Sequence, residues 1–377
     1  MKTVGIICEY NPFHNGHRRQ IQLIRARYGE DCTVVCLMSG NFVQRGAPAI
    51  VDKSIRARAA VLSGADLVLE LPVSIALSSA EGFADGGVRI LSDFCDVLCF
   101  GTESILEPEL YRTAEALLHP QFPELLKKEL SSGCSFPAAR QAALSKMGIS
   151  RKLTTPNDIL GVEYTKAILS QHSNMTIFPL FREGSYHSQA LDAHAPSATA
   201  LRKTLLSGQE WENAVPEATV PLLQNAPLHT LEVGERAVVA RLRSMTDEEF
   251  ERLPYGSEGL WRKLMKSSRS ECDLISIIDA TKSKRYTRTR LDRMILCAFL
   301  GLAERDLGII PEQIRVLAFT DRGRAVLREH SGFCNAGEAV DETEARIGSL
   351  YGLFCIGRIE PPDAEENRRI FYQRKEQ

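Results

Sequence analysis

Along the first half of the chain, short apolar runs alternate with amphipathic stretches. Thr3–Cys8 is a mostly apolar run of strand length, while Ile21 and Ile24 within the otherwise polar stretch 17–28 have helical spacing. The same reading predicts strands over 33–38, Leu67–Leu71 and 97–100, and helices over Lys53–Leu62 and Ala80–Leu91. Residues 107–146 are helical in character: Leu110, Ala114, Leu117 and Leu118 make one face, and Leu125, Leu126 and Leu130 another. A further helix follows over 157–169 and a fifth strand over 175–181. Strands alternating with helices predict βαβ units, hence an α/β fold whose parallel sheet is buried on both faces.

Near residue 208 the texture changes. The stretch 210–224 is loosely amphipathic and punctuated by proline. Helical spacing then covers 228–245 and 247–253, stops at the breaker Pro254-Tyr255-Gly256, and resumes over 260–278 and 288–302. One strand candidate, 316–319, stands in the tail, and the polar stretch 363–377 receives no element. The expected organisation is therefore a catalytic domain over 1–208 and a mainly helical domain over 209–377.

Composition narrows the function. With 44% hydrophobic and 25% charged residues, the chain has material for real cores, which excludes wholesale disorder. The net charge of -2 excludes a globally basic nucleic-acid binder, so any RNA contact must be local. Ten cysteines occur without any C-x-x-C pair; Cys32/Cys36 and Cys95/Cys99 lie in apolar runs and read as buried thiols, so no metal site is expected from them. Such cysteine usage, a start without a signal peptide and no apolar stretch of membrane-spanning length predict a cytoplasmic protein away from membranes.

The chemistry concentrates after the first strand. Asn11-Pro12-Phe13-His14-Asn15-Gly16-His17 joins that strand to a helix, the context in which backbone N–H groups and the helix dipole converge on an anion. Gly16 permits close backbone approach, and His14 and His17, three apart, can face one phosphate. The turn is neither a Walker loop nor a dinucleotide fingerprint. It suits a reaction that stabilises charge on an α-phosphate while pyrophosphate leaves. A second segment, Pro196-Ser197-Ala198-Thr199-Ala200-Leu201-Arg202, opens a helix after the fifth strand. Ser197, Thr199 and Arg202 could serve as a donor cluster for phosphates, but taken by itself the segment reads first as an ordinary capped surface helix.

His14-Asn15-Gly16-His17 and Ser197-x-Thr199-x-x-Arg202 resemble the two motifs of the HIGH-type nucleotidylyltransferases, with Ala198 where Ser or Thr is common. The longer blocks Cys8–His17, Met38–Gly46, Phe100–Ser104, Pro156–Gly161 and Ser283–Arg290 resemble, in order, those of the bacterial tRNA(Met) cytidine acetate ligases. The resemblance implies a Rossmann-like parallel sheet and a ligase that makes acetyl-adenylate from ATP and acetate. The acetyl group would then pass to N4 of the wobble cytidine of elongator tRNA(Met). It implies ATP binding at Ile7, Cys8, Glu9, Tyr10, Asn11, Pro12, Phe13, His14, Asn15, Gly16, His17, Arg18, Arg19 and Gln20. It adds Gly101, Asn157 and Arg182, and Thr102 stands where serine is frequent. ATP is expected with magnesium, His14, His17 and Arg202 as catalytic groups, and no obligate protein partner. Read from the residues alone, Asn157 remains either a ribose or base contact or a helix cap.

The densest cationic stretch carries Lys282, Lys284, Arg285, Arg288, Arg290 and Arg293 around Tyr286. Cations take phosphates and an interleaved ring takes an unstacked base, so Lys282, Lys284, Arg285, Tyr286, Arg288 and Arg290 are the expected tRNA contacts. A solvated helix start fits the composition equally well. Two other functions share parts of this pattern: a small-molecule nucleotidylyltransferase of cofactor synthesis, and a non-catalytic RNA-binding protein. The first has little use for the basic helical half; intact His14, Gly16, His17 and Arg202 argue against the second.

Overall fold

A computed structural model describes residues 1–181, 196–283, 286–334, 342–361 and 369–374. Its strands, in chain order, are β1 (Thr3–Cys8), β2 (Thr33–Ser39), β3 (Phe42–Val43), β4 (Ala47–Pro48), β5 (Leu67–Leu71), β6 (Val97–Thr102), β7 (Thr176–Phe181), β8 (Ile314–Thr320), β9 (Phe333–Cys334) and β10 (Phe371–Gln373). Among the described residues, eight of these form one sheet in the order β10-β8-β5-β2-β1-β6-β7, with β9 beside β8. Strands β5, β2, β1, β6 and β7 are mutually parallel. Strand β8 runs antiparallel to β5, and β10 parallel to β8.

Alternation along each strand divides the core. Ile7, Leu37, Leu69 and Leu98 face the helices Ala80–Leu91 and Pro156–Ser170. Ile6, Cys36, Val68 and Cys99 face the helices Asn15–Tyr28 and Lys53–Leu62. Each such aliphatic side chain contributes roughly 1.5–3 kcal/mol by leaving water. Buried thiols such as Cys32, Cys36 and Cys99 serve here as small apolar fillers.

The stretch 107–146 is three helices, Glu107–Leu118, Phe122–Ser131 and Phe136–Lys146, because Pro123 and Pro137 each open a new first turn. Likewise 260–278 breaks into Leu260–Ser270 and Leu274–Thr281, where Asp273 caps the second helix by accepting from Ser276 N–H at 2.8 Å. The strand expected over 316–319 is β8, and it returns to the first-half sheet. Sheet strands therefore come from both sides of residue 208. Phe42, Val73 and Leu77 from the first half are buried in the same apolar cluster as Val238, Leu264, Leu291 and Phe354. No helix among the described residues is long and apolar enough to cross a membrane.

Candidate active site

The chain leaves β1 for β2 and β5 on one side, then returns to β6 on the other. The reversal between β1 and β6 is a topological switch point, where open α/β sheets leave a crevice beyond their strand ends. A cavity of about 470 Å³ lies there.

Its floor is the turn after β1. Tyr10 adopts a positive φ of 45°, and the Asn11–Pro12 bond is cis. Tyr10 and Phe13 are buried edge to face at 4.8 Å, and the His17 ring lies 4.8 Å from Tyr10. His14 caps the helix Asn15–Tyr28: its Nδ1 accepts from Gly16 N–H at 3.1 Å, while His17 Nδ1 accepts from His14 N–H at 3.2 Å. The two rings stack at 3.6 Å. A nitrogen that accepts an N–H bond carries no proton, so this geometry assigns both neutral rings the tautomer with hydrogen on Nε2. Both therefore have an N–H to donate. A Cβ at Gly16 would lie 2.9 Å from His14 Cε1, so glycine is what lets the His14 ring fold over the helix start.

The second segment locks onto this turn. Ser197 caps the helix Ala198–Ser207 by accepting from Ala200 N–H at 3.1 Å. Arg202 donates from Nη1 to the Asn11 carbonyl at 2.7 Å and from Nη2 to Thr199 Oγ1 at 3.2 Å. Asn11 Oδ1 accepts from Ile50 N–H at 2.8 Å, tying the turn to the loop after β4.

Beneath lies Arg56, 1% exposed. Its guanidinium donates to the carbonyls of Glu9 (2.7 Å), Ser39 (3.0 Å), Val51 (2.9 Å) and Gly40. Burial lowers its pKa from the ordinary arginine value. This clamp holds the ends of β1 and β2 in one geometry. Beside it, Lys53 pairs with Glu70 at 2.7 Å and Arg315 reaches the same carboxylate at 3.4 Å.

The opposite wall follows β6. Asp158, 1% exposed, accepts from Glu103 N–H at 2.8 Å, Ser104 N–H at 3.2 Å and Ser104 Oγ at 2.6 Å. Burial raises its pKa, but the Ser104 hydroxyl and the two backbone N–H bonds outweigh it and leave the carboxyl below its usual value. Asn157 Nδ2 donates to Glu103 Oε1 at 2.6 Å. Burial pushes the Cys8 thiol well up, so it stays protonated and is a poor nucleophile.

Of the residues expected to hold ATP, the cavity is lined by Ile7, Cys8, Glu9, Tyr10, Asn11, His14, Gly16, His17, Arg19, Gln20, Gly101, Asn157, Ser197, Thr199 and Arg202. Pro12 and Phe13 are buried behind it, Arg18 is exposed, and Asn15 Nδ2 donates to the Asn213 carbonyl at 2.8 Å. Arg182 lies outside the described residues. Unforeseen were the hairpin β3–β4, whose Val43, Gln44, Arg45, Ala47 and Pro48 line the cavity, and the roles of Arg56, Glu103 and Asp158. A charged Arg56 on the Ala57–Ala60–Val61 side of its helix was the available signal.

The basic segment borders the other side of that hairpin. Lys282 and half-buried Tyr286 precede the helix Arg288–Leu300, which Arg288 opens; Lys284 and Arg285 lie outside the described residues. Arg290 donates to the Tyr255 carbonyl at 2.9 Å and to Ser257 Oγ at 2.9 Å, and lies 5.0 Å from the Tyr286 ring centre. Arg288 pairs with Asp292 at 2.6 Å. The approach is close: Gly46 has φ 77°, and a Cβ there would lie 2.5 Å from Arg293 N. Arg293 Nη1 donates to the Gln44 carbonyl at 3.4 Å.

The family model for HIGH nucleotidyl transferases matches residues 1–337. The tRNA(Met) cytidine acetate ligase of Acetivibrio thermocellus is 34% identical over 356 residues, covering 87% of this chain and 85% of its own. That of Caldanaerobacter subterraneus is 37% identical over 352 residues, covering 87% and 86%. The crystal structure of Thermotoga maritima TmcAL in its apo form superposes with a TM-score of 0.90 at 28% identity, over 99% of this chain and 100% of that one. The same protein bound with alpha-thio ATP gives 0.88 at 30% identity, again over 99% and 100%.

Proposed function

Because the chain belongs to the HIGH nucleotidyl transferase family, and within it to the tRNA(Met) cytidine acetate ligases, we propose that its cavity is the ATP site of a tRNA-acetylating ligase. The product is N4-acetylcytidine in elongator tRNA(Met). The observation that carries this reading is the paired-histidine turn at the switch point, with His14, His17, Thr199 and Arg202 lining one cavity.

The first step is attack of an acetate oxygen on the α-phosphorus and departure of pyrophosphate. Charge grows on the phosphate oxygens, and the His14 and His17 rings, the helix dipole and Arg202 are fixed before it appears. In the second step the N4 amine of the cytidine attacks the acetyl carbon, the bond to AMP breaks, and the amine loses a proton. AMP is a good leaving group, so no acyl-enzyme is needed, in keeping with the protonated Cys8 thiol. Magnesium would arrive on the triphosphate: the only carboxylates lining the cavity among the described residues are Glu9 and Glu103, and magnesium is commonly held by substrate phosphates and water. Lys282, Tyr286 and Arg288, with Lys284 and Arg285, would take the tRNA, in a helical half that starts near residue 209. A cytoplasmic location fits a tRNA substrate.

A cofactor-forming nucleotidylyltransferase would share the turn but leave the basic helical half without a role. Incubating the protein with ATP, labelled acetate and bulk tRNA tests the reading. Label should enter tRNA only when ATP is present, and its failure to enter any tRNA would overturn the proposal.

A further inference from the structure

We propose that Glu103 reads the ribose of the bound nucleotide, accepting hydrogen bonds from its vicinal hydroxyls, with Asn157 as its positioning residue. This rests on the ATP reading of the cavity.

The sheet orders the groups. The phosphate-binding set, His14, Gly16 and His17, follows β1, and Arg202 is bonded to the same turn. Strand β6 is the next strand across, and Glu103 is the residue after its end. Strand β7 follows, with Leu180 opposite Gly101, and Leu180 and Phe181 both line the cavity. Neighbouring strands are about 4.8 Å apart. Crossing from β1 to β6 to β7 therefore passes phosphate donors, then a carboxylate, then an apolar wall. A nucleoside triphosphate has the same order: phosphates, a sugar rich in hydroxyl donors, a flat base.

A carboxylate in a cavity for a polyanion is unfavourable unless it faces a donor away from the phosphates. Of the two cavity carboxylates among the described residues, Glu9 accepts at Oε1 from Gln44 N–H at 2.9 Å within the hairpin. Glu103 is half-buried and aimed from two sides: Asp158 holds its backbone N–H at 2.8 Å, and Asn157 holds Oε1 at 2.6 Å. Both anchors come from the first turn of the helix Pro156–Ser170. A carboxylate only accepts, and one bond from Asn157 leaves acceptor positions open on both oxygens. The ribose 2′- and 3′-hydroxyls are the adjacent donor pair that would use them. Asn157 thus acts through Glu103.

Calorimetric titration with ATP, 2′-deoxy-ATP, 3′-deoxy-ATP and inosine triphosphate tests this. The wild type should prefer ATP over either deoxynucleotide by about tenfold, the scale of one hydrogen bond to a charged group. Glu103→Ala should remove both bonds from ATP and inosine triphosphate, about a hundredfold, and the one bond left to either deoxynucleotide, about tenfold, so the preference collapses. Asn157→Ala should narrow it partly. Should Glu103→Ala not fold, the isosteric Glu103→Gln should narrow it likewise. Equal weakening of all four nucleotides would overturn the inference, as would a loss confined to ligands carrying the 6-amino group. A wild type that binds ATP with no ribose preference refutes this inference alone. A wild type that binds no ATP refutes the ATP reading itself.

Discussion

At the scale of single residues, the site depends on which nitrogen each histidine keeps for the backbone. Both Nδ1 atoms are used inside the turn, so each neutral ring carries its hydrogen on Nε2. Replacing His17 by Ala removes one such donor and releases the His14 N–H. Acetyl transfer by His17→Ala should fall about 10²–10³-fold, the usual loss for one preorganised donor at a developing oxyanion. ATP affinity should fall much less, and steady-state rates beside a binding isotherm separate the two. Gly16→Ala should displace the His14 ring and lower activity while thermal unfolding moves little, because the clash is with the ring and not the core. Glu344 offers a pH test. Burial first, then the neighbouring Glu70 carboxylate, raises it to about 7, although it accepts from Val73 N–H at 2.8 Å. A carboxyl raised in the folded state binds its proton there more tightly, so the protein should lose stability between the ordinary value of 4.5 and about 7. Melting curves of Glu344→Gln, which keeps the acceptor, should match wild type at the acid end of that window and lie above it at pH 8.

At the scale of elements, the first-half strands were legible because alternation and length mark them; the helix Asn15–Tyr28 was legible except for its start, which histidine caps instead of Ser, Thr, Asp or Asn. The hairpin β3–β4 was not, since two-residue strands carry no periodicity. Nor was the clamp of Arg56, because its four acceptors are backbone carbonyls from three separate segments, invisible as side-chain types. The motif residues His14, His17 and Arg202 announced themselves, whereas Glu103 and Asp158 became meaningful only when β6 and the helix Pro156–Ser170 came together. Arg56→Met should leave those carbonyls without a buried partner. Destabilisation on the order of 3–5 kcal/mol is expected, as for other broken buried charge networks, read as a lower denaturation midpoint.

At the scale of the whole molecule, the cavity at the switch point and the basic segment lie on opposite sides of one thin hairpin. Gly46 touches the backbone of the helix Arg288–Leu300, and Phe42 is buried in the helical half's core. The β8 and β10 strands close the sheet from the C-terminal side, which residue spacing alone had not placed. Under the proposed function, this arrangement would bring the activated acyl group and the proposed tRNA contacts together without a long tether. Lys282→Ala and Arg288→Ala should weaken tRNA binding and flatten its salt dependence, by roughly 0.7–0.9 in logarithmic slope for each phosphate no longer neutralised. ATP affinity, measured on the same variants, should stay at the wild-type value.

The most direct measurement of the central claim is nucleoside analysis of purified elongator tRNA(Met) after reaction with the protein, ATP and labelled acetate. Labelled N4-acetylcytidine should accumulate, disappear when ATP or acetate is omitted, and fall sharply with His17→Ala. Turnover of ATP with no labelled acetylcytidine in that tRNA would contradict the account.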